Sequence, residues 1–220
     1  MPYWPNESNK NPFAYEAIAS HPSGLTIIGK YATPEHNGTH LDAPVHFADE
    51  QATVDVLPPA DMFAPLVVID VSEKCKNNAD YGLTKNDLLD WEVRHGKIPD
   101  RSVVLMYTGW GKRAKNMKDY QNMDEAGVMH FPGFTVDSNN FLIEERNILA
   151  IGIDNLSVDP GIAAGFPAHL VTNGAGKYHL ENVSNVHLLP ESGAFIVVAP
   201  IKIGNGSGGQ VRLFAIIPDA

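Results

Sequence analysis

The chain has 220 residues, 44% hydrophobic and 19% charged, enough for one substantial core built as a single large domain or a closely fused pair. Its formal net charge of -10, with the short lysine-rich stretch Lys112 to Lys118 answered by Asp119, Asp124 and Glu125, excludes a nucleic-acid partner, which needs a basic face. A single cysteine, Cys75, excludes a disulfide framework or a multi-cysteine metal site, and no apolar run approaches the ~20 residues of a membrane span.

The first ten residues, MPYWPNESNK, have neither the basic start nor the apolar core of a signal peptide, so a cytoplasmic location is expected. N-x-S/T sequons at Asn6, Asn37, Asn155, Asn182 and Asn205 are a weak pointer to secretion, because the pattern arises easily by chance. Leu25 to Tyr31 reads as the first strand.

Residues 36 to 46, HNGTHLDAPVH, then place His36, His40, Asp42 and His46 on even positions. In extended backbone shared parity points side chains the same way, and imidazole with carboxylate suits a divalent transition ion such as zinc or manganese. Fully extended, positions 36 and 46 would lie roughly 33 Å apart at about 3.3 Å per residue, so the chain must fold back. Gly38 and Pro44 sit where it can, and the run reads as strand, kink and strand. The bland alternative makes each His a surface or core residue and the Asp a turn cap, and it does not account for four in register.

Further along, Leu66 to Val71, Val103 to Tyr107, Ile148 to Ile153, Phe195 to Ile203 and Val211 to Ile217 are β-branched runs, nearly continuous in apolar residues, which predicts strands covered on both faces. Thr84 to His95 reads as a helix opened by a capping box of Thr84 and Asp87 and ended by Gly96. Val136 to Arg146 reads as a second helix. The strand at 148 to 153 runs into Asp154 and a long Gly/Pro-rich loop ending on His169, and Glu181 follows twelve residues later. His169 and Glu181 could complete a metal site from across the fold. His21, His95, His179 and His187 show no matching partners and are read as structural, while His130, beside Phe131, could line a pocket.

The run His36, Gly38, Thr39, His40, Asp42, Pro44, His46 resembles the HxGTHxDxPxH motif of the cyclase family of metal-dependent hydrolases, which includes bacterial kynurenine formamidases and isatin hydrolases. The resemblance extends from PYWP at residues 2 to 5 to the C-terminal APIKIGNGSGGQVRLFAIIP. MHFPGFTVDS at 129 to 138 and FPAH at 166 to 169 look like the isatin hydrolase branch, whereas the pair His169 and Glu181 keeps the formamidase pattern. The resemblance implies an α/β fold, a swivelling β/β/α domain with mixed sheets and a few helices, over residues 1–220 and assembled as a homodimer or larger oligomer. It implies one or two Zn2+ or Mn2+ ions per subunit, the first held by His36, His40 and Asp42, the second by Asp42, His169 and Glu181, with Glu181 touching both. His46 would be the proton donor and acceptor. Family members carry a DLTHP-type strand before the Pro-x-x-Pro element, so a domain lacking that first strand, with a sheet edge exposed, is expected.

Three protein ligands and a water make an open catalytic site in which the ion lowers the water's pKa from about 15.7 towards roughly 7. Hydrolysis of a C-N bond is the expected reaction, with His46 moving the proton. Trp4, Phe47, Phe131 and Phe166, with Tyr3 and Trp110 nearby, would suit a small aromatic amide, formamide or cyclic imide. A lactone or another cyclic amide is the neighbouring alternative, and a catalytically inactive, metal-stabilised binding or scaffold protein is the alternative from a different class.

Overall fold

Side chains alternate across a strand, so a run that is apolar at every position needs cover on both faces. In the computed structural model, which describes residues 2–5, 13–20 and 26–218, the strands are β1 (Ala14–Ser20), β2 (Ile27–Ala32), β3 (His40–Asp42), β4 (Phe63–Asp70), β5 (Gly82–Leu83), β6 (Val103–Tyr107), β7 (Gly133–Phe134), β8 (Ala150–Ile153), β9 (Tyr178–Glu181), β10 (Ala194–Pro200) and β11 (Gly208–Ile216). Seven close into a barrel in the order β10-β11-β3-β9-β8-β6-β4. Neighbours among β4, β6, β8 and β9 are parallel, and the remaining pairs around the barrel are antiparallel.

Leu66, Val68, Val103, Leu105, Ala150 and Leu180 fill the barrel, while Val67, Ile69, Val104, Met106, Ile151 and Ile153 form a separate outer cluster. Helices cover that cluster: α1 (Ser72–Asn77) supplies Cys75, and α2 (Lys85–His95) supplies Leu88 and Trp91. α3 (Met117–Gln121) instead sends Tyr120 into a third cluster with Trp110, Met129, Phe131 and Leu156. Behind α4 (Val136–Asn140), Phe141 and Leu142 join the outer cluster, as does Ala168 of α5 (Pro167–Gly174). This is a sheet-dominated α/β fold with few helices.

The capping box of α2 forms as the sequence predicts, with Thr84 and Asp87 exchanging side-chain to backbone bonds and Gly96 ending the helix at φ 85°. Three expectations are corrected. The second strand expected after Pro44 is a 3-10 turn over Pro44–His46, since proline fixes φ and the His46 N–H bonds back to the Ala43 carbonyl at 2.9 Å. The helix expected over 136 to 146 is α4 followed by a π-helical turn, Phe141–Glu145. β2 is exposed along its whole length, and the outer faces of β10 and β11 are only partly covered. Among the sequons, Asn37, Asn155 and Asn182 are buried, so the folded chain cannot offer them to a glycosylating enzyme. Asn6, His21 and Leu25 lie outside the described residues. Among the described residues no helix is long and apolar enough to cross a membrane.

Candidate metal centre

Strand register assembles the site. β3 is three buried residues between β9 and β11, and its central Leu41 pairs with Leu180, both inside the barrel. The flanking His40 and Asp42 therefore face the other way, with Glu181 directly opposite His40 and His179 directly opposite Asp42. On the β11 side Gly208 is the partner of Asp42. A Cβ there would fall 2.7 Å from His36 Cε1 and 2.6 Å from the Leu41 carbonyl, so the glycine leaves the space that the His36 imidazole occupies. His36 precedes the strand at a bend, His46 follows it in the 3-10 turn, and their rings stack at 3.9 Å. α5 brings in His169.

Both carboxylates are two-sided. Asp42 Oδ1 lies 2.5 Å from His36 Nδ1 and 3.0 Å from His40 Nε2, whereas its Oδ2 lies 2.6 Å from His179 Nε2 and 3.7 Å from His169 Nε2. Glu181 Oε2 is 3.6 Å from His40 Nε2, and Oε1 is 3.3 Å from His169 Nε2 and 3.8 Å from His179 Nε2. The ligand atoms of Asp42, His169, His179 and Glu181 all lie within 4.8 Å of one another, as do those of His36, Asp42 and His46.

Hydrogen bonds on the far side of three rings fix which nitrogen faces inward. His40 Nδ1 donates to the Gly38 carbonyl at 2.9 Å, and His169 Nδ1 donates to Asp159 Oδ2 at 2.6 Å, so each presents Nε2 to the carboxylates. For His36 the order is reversed. The Ser207 hydroxyl donates to Glu35 at 2.5 Å and accepts from His36 Nε2 at 2.9 Å, leaving Nδ1 towards Asp42. His40 Nε2 and His179 Nε2 are buried and, despite their closeness to Asp42, are not aligned with it for a hydrogen bond. Buried nitrogens of this kind, ringed by carboxylate oxygens, fit a divalent cation.

Charges are arranged around the two acids. Burial opposes ionisation of His40 and His169, but Asp42 for the first and Asp159 with Glu181 for the second outweigh it, raising them to about 9 and about 10. Asp42 is held well below the usual carboxylate range by His40, His179 and His36 in spite of its burial. His46 goes the other way: burial, reinforced by His36, His179 and His169 against the pull of Asp42, pushes it down to about 3. It is uncharged at physiological pH.

The cluster opens into a cavity of about 260 Å³ walled by Trp4, Phe47, Leu156, Ser157, Phe166 and Asn182. Phe131, expected to bind substrate, does not line it; the ring is fully buried and supports Trp4 edge-on at 6.5 Å. Trp110 is buried in the same supporting cluster. Tyr3 forms a bridge with Asn37. His130 is paired with Asp80 and Asp124 away from the cavity.

The structure also brings in residues that the sequence reading left out. His179, read as structural, stands among the ligand atoms; the signal was available, because it is two residues before Glu181 and so on the same face of a strand. Asp159 behind His169, and Ser207 with Glu35 behind His36, carry no local motif and become visible only through the fold. Asp154, at the end of β8, is not part of the cluster but ties down the Thr108 to Gly111 segment through its carboxylate.

The family model described as Putative cyclase matches residues 1–160. An isatin hydrolase of Roseibium aggregatum is 35% identical over 84% of this chain and 73% of its own length. A kynurenine formamidase of Bacillus thuringiensis (strain Al Hakam) is 30% identical over 95% of this chain and 88% of its own. Among solved structures, an isatin hydrolase bound to the product analogue thioisatinate superposes with a TM-score of 0.90 and 31% identity, covering 100% of this chain and 87% of that one. With the motif, the barrel and the paired carboxylates all in place, the chain belongs to the cyclase family.

Proposed function

We propose that this protein is a metal-dependent hydrolase that cleaves the C-N bond of a small aromatic amide, formamide or cyclic imide, with isatin and N-formylkynurenine as the leading substrates. The observation that carries this reading is the pair of two-sided carboxylates, Asp42 and Glu181, ringed by oriented imidazoles at the floor of an aromatic-walled cavity. The names of the relatives support it.

His36, His40, Asp42 and Glu181 would hold one zinc or manganese ion, and Asp42, His169, His179 and Glu181 a second. A divalent ion so held supplies Lewis acidity, drawing charge from a carbonyl oxygen and acidifying water. The remaining work falls to the chain. His46, beside Asp42 and His36 on the cavity wall and making no hydrogen bond through its ring among the described residues, takes a proton from the attacking water and returns it to the departing nitrogen. Trp4, Phe47 and Phe166 pack the aryl ring and exclude water from it. We further propose that the working form is a homodimer.

Metal analysis of the purified protein, combined with absorbance assays on isatin and N-formylkynurenine before and after chelation, tests the reading. Turnover that disappears with the metal and returns with zinc or manganese is expected. No turnover by folded, metal-replete protein, extended across a panel of amides and lactones, would leave a metal-stabilised binding protein instead.

A further inference from the structure

Away from the metal centre, His95, Glu191 and Ser192 form a second constellation of catalytic type. α2 ends on His95, and Gly96 turns the chain away at φ 85°. Glu191 and Ser192 come just before β10, where the Glu191 carbonyl accepts from the Val68 N–H at 3.0 Å and so ties this segment to β4. The His95 imidazole lies between their side chains. Its Nδ1 is 3.3 Å from Ser192 Oγ, and its Nε2 is 3.2 Å from Glu191 Oε2. Trp91, one turn earlier in α2, backs the imidazole with ring centroids 4.8 Å apart. Arg94 Nη1 is 3.2 Å from His95 Nε2 but closer to Glu191, at 2.8 and 2.9 Å from its two oxygens. With the guanidinium taken up by the carboxylate, Nε2–H donates to Glu191 and Nδ1 is left to accept from the Ser192 hydroxyl.

His95 and Ser192 line a groove of about 450 Å³ with Pro65, Val67, Trp91 and Pro99, and it shares no lining residue with the cavity over the carboxylate pair. Its lining residues carry two donors that meet no acceptor among the described residues. One is the backbone N–H of Gly193, which follows Ser192 at φ 87°, and the other is Trp91 Nε1–H, on a side chain only 1% exposed. A backbone N–H directly after a nucleophile is the position from which an oxyanion is held.

We propose that Ser192, His95 and Glu191 are a second hydrolytic site, separate from the metal centre, that cleaves esters of a small apolar acyl group through a covalent acyl-serine. Ser192 Oγ attacks the ester carbonyl while its proton passes to His95 Nδ1. The C–O bond to the alcohol then breaks, and that proton leaves with the alcohol. Water attacks the acyl-serine through the same imidazole, releasing the acid and restoring the hydroxyl. Glu191 positions the ring and offsets the charge it gains, and the Gly193 N–H stabilises the oxyanion. Pro65, Val67 and Pro99 suit an apolar acyl chain.

A fluorophosphonate reads the nucleophile by mass, and 4-nitrophenyl butyrate reads turnover by absorbance. The metal-replete wild-type protein is expected to gain a phosphonyl group that peptide mass spectrometry maps to Ser192. It should release 4-nitrophenolate at a rate that Ser192→Ala and His95→Ala each cut at least about tenfold. Glu191→Gln should lower kcat for the ester at unchanged KM, a split that a merely structural role would not produce. Ser192→Ala should keep the wild type's metal content and isatin turnover, while Asp42→Ala, emptied of metal, should keep the ester activity. The absence of an adduct on Ser192 in the wild type overturns the proposal. So does ester hydrolysis that survives Ser192→Ala and is lost with the metal in Asp42→Ala, because it then belongs to the metal centre. Neither result bears on the metal-dependent reaction, which is read on isatin and N-formylkynurenine.

Discussion

His46 and Asp42 are four residues apart and do different work, which substitution can separate. Asp42 presents one oxygen to His36 and His40 and the other to His179 and His169, so Asp42→Ala is expected to lose metal and activity together. His46 stacks on His36 and its ring makes no hydrogen bond among the described residues, and His46→Ala should keep its metal while kcat falls by about 10²–10⁴-fold, the usual worth of a general acid-base group. An emptied site in His46→Ala, refilled by excess ion with activity restored, would make His46 a ligand. His179→Ala should weaken metal binding by more than the roughly 10–100-fold that loss of a group behind a ligand costs, and a chelator competition titration measures it. If affinity is unchanged there, His179 is the structural residue read from the sequence.

At the scale of elements, β3 shows what local sequence can and cannot specify. Its three residues are too few for periodicity to declare a strand, and it is held by β9 and β11 on either side. Gly208→Ala should therefore cost roughly 1–3 kcal/mol in urea unfolding and reduce metal affinity, because the new methyl meets the backbone of Leu41 as well as His36. α2 is the opposite case, specified by its own residues. Thr84→Ala should cost about 1 kcal/mol for the lost cap. Its partner Asp87 is pushed up by burial, but bonds from Lys74, Thr84 and Tyr81 outweigh that and hold its carboxyl below the ordinary range. Protonation then favours the unfolded chain. The stability advantage of wild type over Asp87→Asn should be full above the unfolded aspartate value of about 3.9 and shrink as pH falls below it. Urea titrations of both proteins between pH 3 and 7 check the sign, and an advantage that grows on acidification would refute it.

For the whole molecule, β6 was legible to the residue because every position of VVLMY is buried, one parity inside the barrel and the other under helices. LTIIGKY is nearly as apolar, yet β2 is exposed throughout: what covers a strand is decided by distant chain and is not written in the strand. The metal motif was legible because chemistry confined it to eleven residues, whereas the walls of the cavity come from segments up to Asn182 and were only partly guessed. The exposed hairpin has a consequence for assembly. Tyr15, Ile18, Ile27, Ile28 and Tyr31 are open to solvent, Ile27 at 78%, and a two-stranded hairpin is marginal in water without a surface to cover it. A second apolar patch lies on the barrel wall, where Phe63 and Phe195 stack at 5.3 Å beside exposed Phe214 and Ile216. Burying such surfaces against a second copy opposes the mutual repulsion of two chains of formal charge -10. Sedimentation at micromolar concentration should thus show a species of about twice 23.9 kDa, tightened by added salt as repulsion is screened. Ile18→Lys with Ile27→Lys should shift it to the monomer while the metal content holds. A wild-type protein that stays monomeric, or a dimer that salt dissociates, would show that apolar burial between hairpins does not drive assembly.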